Sequence, residues 1–223
     1  MPIYYGQGDP PADDIIFKNY FPIKKDGFFI ECGANNGVSD CTCLFFEKLG
    51  WRGVNIEPCL ESFKILETNR PNSFLNLNIG LAEFDGRSKF TKAIGLQSGG
   101  SIRYIPKWKE EVARSGYRFE ETTIDVLTYK TLMEKYDLPH VDLFVLDVDG
   151  YELEIIDGMF GSRTLPQVIC VEYTLVKLEN LINKLIPLGY NYDFLSYNNA
   201  FFSMGVKRYE KWYGQTKIWD WGG

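Results

Sequence analysis

The chain has a single histidine and five cysteines in 223 residues. A structural zinc site requires several His or Cys ligands at fixed spacing, and the pair Cys41 and Cys43 is too closely spaced for a zinc knuckle or a redox motif. The odd number of cysteines, most of them within predicted strands or helices, indicates small apolar residues in a reduced protein. These features predict no zinc and a cytoplasmic location.

Basic charge and long apolar runs are also scarce. The net charge is -6, which provides no broad basic surface for a phosphate backbone, so we expect no nucleic-acid partner. No segment approaches the ~20 apolar residues of a membrane span, and the N-terminus has no basic region followed by an apolar run. We therefore expect no membrane span and one globular domain.

Residues 28–58 organise the rest of the chain. An apolar run leads into a glycine-containing turn, after which apolar residues recur at helical spacing from 41 to 49 and a second apolar strand follows. Gly33 and Gly37 lack a Cβ, so the chain can turn sharply and a ligand can approach its backbone. Glu57 lies at the end of the second strand, where a carboxylate can accept hydrogen bonds from ribose hydroxyls. This arrangement predicts a ribose-bearing cofactor.

The details of the turn distinguish between cofactors. A dinucleotide fingerprint would place glycine where Asn35 and Val38 stand, so NAD is disfavoured. Glu31, just ahead of the turn, would repel a pyrophosphate but could pair with an amino group. A cofactor with a cationic amino acid end and a ribose satisfies both Glu31 and Glu57. S-adenosylmethionine has both features, and we predict that Glu31, Gly33, Asn35, Gly37 and Glu57 bind it.

The chain resembles the FkbM-type methyltransferase family in two signatures. The first comprises GFFIECGANNG at 27–37, FEKLGWRG at 46–53, IEP at 56–58 and NRP at 69–71; the second is LDVDGYELEIIDG at 146–158, with Asp149 where Glu is more frequent. The resemblance covers residues 7–172. It implies an α/β fold with a Rossmann-like methyltransferase sheet, mostly parallel with an antiparallel terminal hairpin, and helices on both faces. In this interpretation residues 1–27 form a cap or lid segment and 28–223 the methyltransferase domain.

A small β insertion is predicted after the third strand. Asp85 and Gly86 read as a hairpin turn, and 88–93 and 118–124 read as strands. Long polar insertions are usually solvated, but four residues there are candidates for substrate contact: Arg103, Tyr104, Trp108 and Arg114. The aromatic tail at 212–221 is expected to pack against the domain, over the cleft or at the sheet edge.

Three carboxylates follow two predicted central strands: Asp147 and Asp149 after the fourth, and Glu172 at the end of the fifth. Ligands of open α/β sheets bind at this carboxyl edge, whereas His140 lies at the opposite edge. Close carboxylates cannot all stay ionised without a cation or raised pKa values. Either one carboxylate acts as a general base, or the three bind Mg²⁺ or Mn²⁺. The metal option is favoured because their positions on strands four and five are similar to those of the metal ligands in catechol-type O-methyltransferases. The third alternative is a structural role in which the carboxylates cap turns.

Three further residues are candidates for the cofactor site. In the family a Gly-Gln element ahead of the first strand lies close to the cofactor, which suggests Gln7; the alternative for Gln7 is an exposed polar residue of the N-terminal arm. Asn78 falls at the end of the third strand, near the adenine in this architecture, where it either contacts that base or stabilises a turn. We expect Asp147 to contact the cofactor, in addition to being a catalytic candidate. Glu152 lies in the first turn of a predicted helix, where its carboxylate interacts favourably with the helix dipole.

These observations predict an S-adenosylmethionine-dependent O-methyltransferase. The family resemblance implies hydroxyl acceptors, and the supply of Trp, Tyr and Phe suits the apolar face of a sugar, so we expect a sugar hydroxyl in a glycan. The alternative acceptor is a small natural product or a lipid. Two other classes stay open: a nicotinamide-dependent oxidoreductase and a non-catalytic cofactor-binding subunit. A neighbouring glycosyltransferase domain or a homodimer is the expected protein partner.

Overall fold

A computed structural model describes residues 3–94, 100–102, 110, 113–114, 116 and 118–209. The predictions for Arg103, Tyr104, Trp108 and the tail at 212–221 lie outside these residues, and Arg114 is exposed. Within the described part of the chain, no helix has the length and apolar character needed to cross a membrane.

Helices and strands alternate along most of the chain. The helices are α1 (Ala12–Tyr20), α2 (Thr42–Lys48), α3 (Leu60–Asn69), α4 (Tyr129–Lys135), α5 (Glu152–Asp157) and α6 (Leu178–Leu185), followed by a 3₁₀ turn at Ile186–Leu188. The strands are β1 (Phe28–Cys32), β2 (Arg52–Ile56), β3 (Leu75–Leu77), β4 (Gly80–Leu81), β5 (Gly86–Ile94), β6 (Gly100–Ser101), β7 (Arg118–Leu127), β8 (Leu143–Leu146), β9 (Val168–Glu172), β10 (Asn191–Ser196) and β11 (Asn199–Ser203).

Seven strands form the main sheet in the order β10-β11-β9-β8-β1-β2-β3. The five strands from β9 to β3 run parallel, and β11 is antiparallel to both of its neighbours. The predicted fold class is thereby confirmed, including the antiparallel terminal hairpin. His140 is exposed just ahead of β8, at the amino edge of the sheet.

Helices cover both faces of the main sheet because side chains alternate along each buried strand. Phe29, Val145 and Cys170 point to one face and pack with apolar residues of α1 and α2. Ile30, Leu146 and their neighbours point to the other face and pack with α4, α5 and α6. The N-terminal segment therefore contributes a core helix, whether or not it also acts as the predicted cap.

The insertion forms a second sheet of four strands, in the order β4-β7-β5-β6. Its buried residues, Phe90 and Ile124 among them, extend the core of the second face. The hairpin predicted at Asp85 and Gly86 is wrong, because β4 and β5 lie on opposite sides of β7. The Asp85 carboxylate instead accepts hydrogen bonds from the Thr128 amide and the Thr131 hydroxyl, both at 2.7 Å, at the start of α4.

Candidate active site

A cavity of about 220 Å³ opens at the carboxyl edge of the main sheet. The ends of β1, β2, β8 and β9 form one side of it, and the small sheet forms the other. The residues that line it include predicted site residues from five parts of the chain: Gln7, Gly33, Asn35, Glu57, Asp147, Asp149 and Glu172. The topology therefore brings most of the predicted site residues to one place, as expected for an open α/β sheet.

The glycine turn after β1 is held tightly on both sides. Gly33 has a φ of 90°, and a Cβ there would lie 1.8 Å from the carbonyl oxygen of Asp147. Asn35 is also left-handed, with a φ of 48°. Gly37 has a φ of 80°, and a Cβ on it would meet Leu66 and Arg70 rather than the cavity. Gly33 thus allows two backbone segments of the site to approach, whereas Gly37 allows α3 to approach.

Glu57 connects the turn to the end of β2. Its Oε2 accepts a hydrogen bond from the Asn35 amide at 2.9 Å, and its Oε1 accepts one from the Cys59 amide at 2.7 Å. Burial raises the pKa of Glu57 to about 7, although these two amide hydrogen bonds oppose the shift. An ionised carboxylate has about four acceptor sites, so each oxygen can still accept a ligand hydroxyl.

Glu31 lies beneath the turn, where it is buried and paired. Its Oε1 accepts a hydrogen bond from the Cys43 amide at 2.9 Å, and its Oε2 lies 3.5 Å from Arg70 Nη1. Burial raises the pKa of Glu31, and the Arg70 charge opposes that shift. Glu31 lines a small cavity of about 10 Å³ that Gln7, Gly33 and Asp147 also line.

Two other predicted cofactor contacts make hydrogen bonds within the protein. The Gln7 side-chain oxygen accepts a hydrogen bond from the Asn198 amide at 2.9 Å. The Asn78 amide donates to the carbonyl oxygens of Glu57 and Pro58, at 2.8 and 3.1 Å. Asn78 lines a separate groove beside α3 and not the main cavity. This arrangement favours the turn-stabilising interpretation of Asn78, because its amide fixes the loop that carries Glu57.

Asp147, Asp149 and Glu172 face the main cavity together. Burial raises the pKa of Asp147 well above its usual range, and the nearby charges of Glu172 and Asp149 raise it further. Burial, together with the charge of Glu172, raises the pKa of Asp149 to about 7. A carboxyl group that titrates near neutral pH is suited to accept a proton from a substrate.

The Asp149 loop is fixed from two directions. The Ser101 hydroxyl donates to the Asp149 carbonyl oxygen at 2.8 Å, and the Gly100 amide donates to Asp149 Oδ2 at 3.4 Å. From the opposite side, Glu152 Oε1 accepts hydrogen bonds from the Val148 and Gly150 amides, at 3.2 and 3.0 Å. Asp149 itself has a φ of 54°. The small sheet and α5 therefore set the position of this carboxylate.

Glu172 is oriented by Thr174, which follows β9, and by Asn198 in the turn of the terminal hairpin. Its Oε1 accepts hydrogen bonds from the Thr174 hydroxyl at 2.6 Å and from the Asn198 amide at 3.4 Å. The same Asn198 amide group contacts Gln7. Glu172 and the N-terminal segment are thus connected at the rim of the cavity.

The carboxylates do not fit the predicted metal site. Among the residues that the structure describes, no three His, Cys, Asp or Glu side chains are arranged so that they could hold a metal ion. All five cysteines are free thiols, four of them buried. The prediction of Mg²⁺ or Mn²⁺ at Asp147, Asp149 and Glu172 is therefore unsupported.

The site does contain features that suit S-adenosylmethionine. Asn35 Oδ1 is buried at the cavity and has no hydrogen-bond partner among the described residues. Such an atom is costly to bury unless a ligand or water satisfies it. Together with the acceptor capacity of Glu57, it provides hydrogen-bonding groups for the polar parts of the cofactor.

Sequence reasoning missed several groups that shape the site. Arg70 stands out in the sequence only as part of the NRP signature at 69–71, and nothing in its spacing indicates that it pairs with Glu31. The position of Glu152 in the first turn of a helix predicts an interaction with the helix dipole, whereas its carboxylate caps the amides of Val148 and Gly150. The roles of Ser101 and Asn198 depend on tertiary contacts that no local pattern encodes.

Comparison with known proteins gives one family. Residues 31–194 match the family described as Methyltransferase FkbM domain. No curated protein matches the chain in sequence. Among solved structures, the chain is similar to the fibrillarin pre-rRNA processing protein of Methanococcus jannaschii, with 13% identity over 92% of this chain and 74% of that one and a TM-score of 0.46. It is also similar to precorrin-6y C5,15-methyltransferase of Geobacter metallireducens, with 15% identity over 84% and 83% of the two chains and a TM-score of 0.39.

Proposed function

The chain belongs to the FkbM methyltransferase family, and on that premise we propose that this S-adenosylmethionine-dependent methyltransferase methylates a hydroxyl of a sugar in a glycan. The observation that carries the proposal is that Asp149 and Glu172 face the same cavity as Glu57. The groups suited to the cofactor and the groups suited to accept a proton therefore line one cavity.

The cofactor would be held by the turn and the end of β2. Glu57 would accept hydrogen bonds from the ribose hydroxyls, as its position after the second strand predicts. Asn35 Oδ1 would accept a hydrogen bond from the cofactor. Glu31 and Gln7, which line the small cavity beside Gly33, would face its amino group. When bound, S-adenosylmethionine supplies an already activated methyl group, so the protein has mainly to position the acceptor and remove its proton.

We assign that proton transfer to Asp149. The acceptor oxygen would bond to the methyl carbon as the bond from that carbon to the sulfonium sulfur breaks and S-adenosylhomocysteine leaves, and the hydroxyl proton would pass to the Asp149 carboxylate. Ser101 and Glu152 keep this carboxylate in place. Asp147, whose pKa is raised well above the usual range by burial and by its carboxylate neighbours, lies beside them in the same cavity. Glu172 would then orient a second hydroxyl of the acceptor.

The sugar assignment is supported by the mixed character of the cavity. Carboxylates accept hydrogen bonds from several hydroxyls, and the rings of Phe90 and Tyr151 offer apolar surface for one face of a sugar ring. The apolar residues Leu81, Ile102 and Ile155 also line the cavity, and they favour the second candidate, a small natural product or a lipid.

Methyl transfer from labelled S-adenosylmethionine to a panel of acceptors tests the proposal. The panel contains glycans with deoxysugars, phenolic natural products, hydroxylated lipids, an amine and an RNA, each with and without Mg²⁺ or a chelator. We expect label in a sugar hydroxyl, no requirement for Mg²⁺, and loss of transfer but not of cofactor binding in Asp149→Asn. Transfer to a lipid or phenol alone would favour the second candidate. Transfer to an amine or to RNA would overturn the O-methylation of a sugar.

A further inference from the structure

Arg70 is a buried cation near the cofactor site that does not line the cavity. Its side chain is 1% exposed, and its Nε and Nη2 donate to the Glu47 carboxylate at 3.1 and 2.9 Å. Its Nη1 lies 3.5 Å from Glu31 Oε2 and donates to the Gly37 carbonyl oxygen at 3.3 Å. One guanidinium group thus joins α2, β1 and the glycine turn.

The preceding residue makes a second contact with the same turn. The Asn69 amide donates to the Asn36 carbonyl oxygen at 2.8 Å. Asn69 is exposed at the end of α3, so this hydrogen bond does not form part of the buried charge cluster. Two consecutive residues therefore hold the carbonyl oxygens of two consecutive turn residues.

The identity of Gly37 follows from this packing. A Cβ on Gly37 would lie 2.8 Å from Arg70 Cγ and 2.7 Å from a methyl group of Leu66. The second glycine of the turn therefore accommodates Arg70, and the turn lies directly on the end of α3. On the other side of the turn, the Asn35 amide donates a hydrogen bond to Glu57.

We propose that Asn69 and Arg70 are positioning residues that hold the turn at 33–37 in its cofactor-binding shape from the side opposite the cavity. The inference rests on the cofactor site proposed above. A turn with two left-handed glycines has many conformations in the absence of such contacts, and a site that must first order itself binds its ligand more weakly. Arg70 is suited to this role because a guanidinium group can bind Glu47 through two donors while a third reaches Gly37, and a lysine cannot.

Calorimetric titration with S-adenosylmethionine tests the inference in Asn69→Ala, Arg70→Lys and the control Thr68→Ala. Thr68 is exposed on the same helix, and its hydroxyl donates to the Lys64 carbonyl oxygen within that helix. All measurements are made well below the melting temperature of each variant, so that a purely structural loss would leave the Kd unchanged. Amide hydrogen exchange of residues 33–38 without cofactor gives a second, local readout.

We expect Asn69→Ala to weaken binding about fivefold, the loss typical of one neutral hydrogen bond. Arg70→Lys should weaken it about tenfold or more, because it loses the bidentate geometry. Both should accelerate exchange in the turn, and Thr68→Ala should do neither. If folded Asn69→Ala and Arg70→Lys bind as the wild type does, with unchanged exchange, the inference is overturned while the cofactor site stands. If the folded wild type binds no S-adenosylmethionine, the cofactor site and this inference both fall.

Discussion

The carbonyl oxygen of Asp147 lies where a side chain on Gly33 would have to be: a Cβ at that position would come within 1.8 Å of it. The glycine turn after β1 and the loop that carries Asp147 and Asp149 are therefore in direct backbone contact. Any change that separates them should affect both stability and cofactor binding.

Gly33→Ala should be severely destabilising. The added methyl group meets backbone that cannot rotate away, and the φ of 90° disfavours any L-residue. We expect the free energy of unfolding in urea to fall by about 3 kcal/mol or more.

Gly50→Ala is a matched control for this change. Gly50 has a φ of 96°, and its nearest obstacle is the Lys25 carbonyl oxygen at 3.9 Å. Only the conformational cost of about 1 kcal/mol should appear there. Equal losses in the two variants would show that the contact between Gly33 and Asp147 is unimportant.

The pKa of Asp149 gives a prediction for the pH dependence of stability. Burial and the charge of Glu172 raise this pKa to about 7, whereas an aspartate in an unfolded chain titrates at about 3.9. Between these values the folded protein keeps a proton that the unfolded chain releases. The stability that this group contributes is therefore present below about pH 4 and is lost as the pH rises through about 7.

Asp149→Asn removes this titration. We expect the variant to exceed the wild type in free energy of unfolding by up to about 4 kcal/mol at pH 8, or about 1.4 kcal/mol for each pH unit between the two pKa values, and to match it near pH 4. Asp125→Asn, at an exposed position, should show the same small difference at both pH values. Urea unfolding at the two pH values provides the measurement. A difference for Asp149→Asn that does not change with pH would contradict the assignment.

Asp85 gives a prediction about the insertion. Because its carboxylate accepts hydrogen bonds from Thr128 and Thr131 at the start of α4, Asp85→Ala should lower the free energy of unfolding by about 1 kcal/mol. Since Asp85 does not line the main cavity, the affinity for S-adenosylmethionine should stay unchanged. A Kd that rises together with the loss of stability would instead connect this end of the small sheet to the cofactor site.

Local patterns in the sequence predicted the order of the elements and the convergence of the carboxylates. The turn between β1 and α2 and the apolar strands β8 and β9 each carry a strong local signal, and parallel strands bring their carboxyl ends to one edge. Asp147, Asp149 and Glu172 could therefore be placed together without coordinates.

Contacts between distant segments could not be predicted in this way. Asp85 and Gly86 are residues typical of a hairpin turn, yet each flanking strand pairs with the distant β7, where Val126 lies opposite both Gly80 and Gly86. Nothing in the sequence around Glu31 indicates that it forms an ion pair with Arg70. Gly37 looks like a ligand-binding glycine, but its missing Cβ makes room for α3. Each of these outcomes depends on tertiary packing that overrides a local rule.

The most direct test of the account is calorimetric titration of S-adenosylmethionine and NAD into the wild type, Glu57→Gln and Glu67→Gln. In Glu57→Gln an NH₂ group replaces one of the two carboxylate oxygens that accept hydrogen bonds from the backbone amides of Asn35 and Cys59. Glu67→Gln is the control, because Glu67 is exposed on α3. The account predicts that the wild type and Glu67→Gln bind S-adenosylmethionine and not NAD, and that Glu57→Gln weakens this binding about 10- to 100-fold. Binding of NAD instead, or S-adenosylmethionine binding that is unaffected in folded Glu57→Gln, would contradict it.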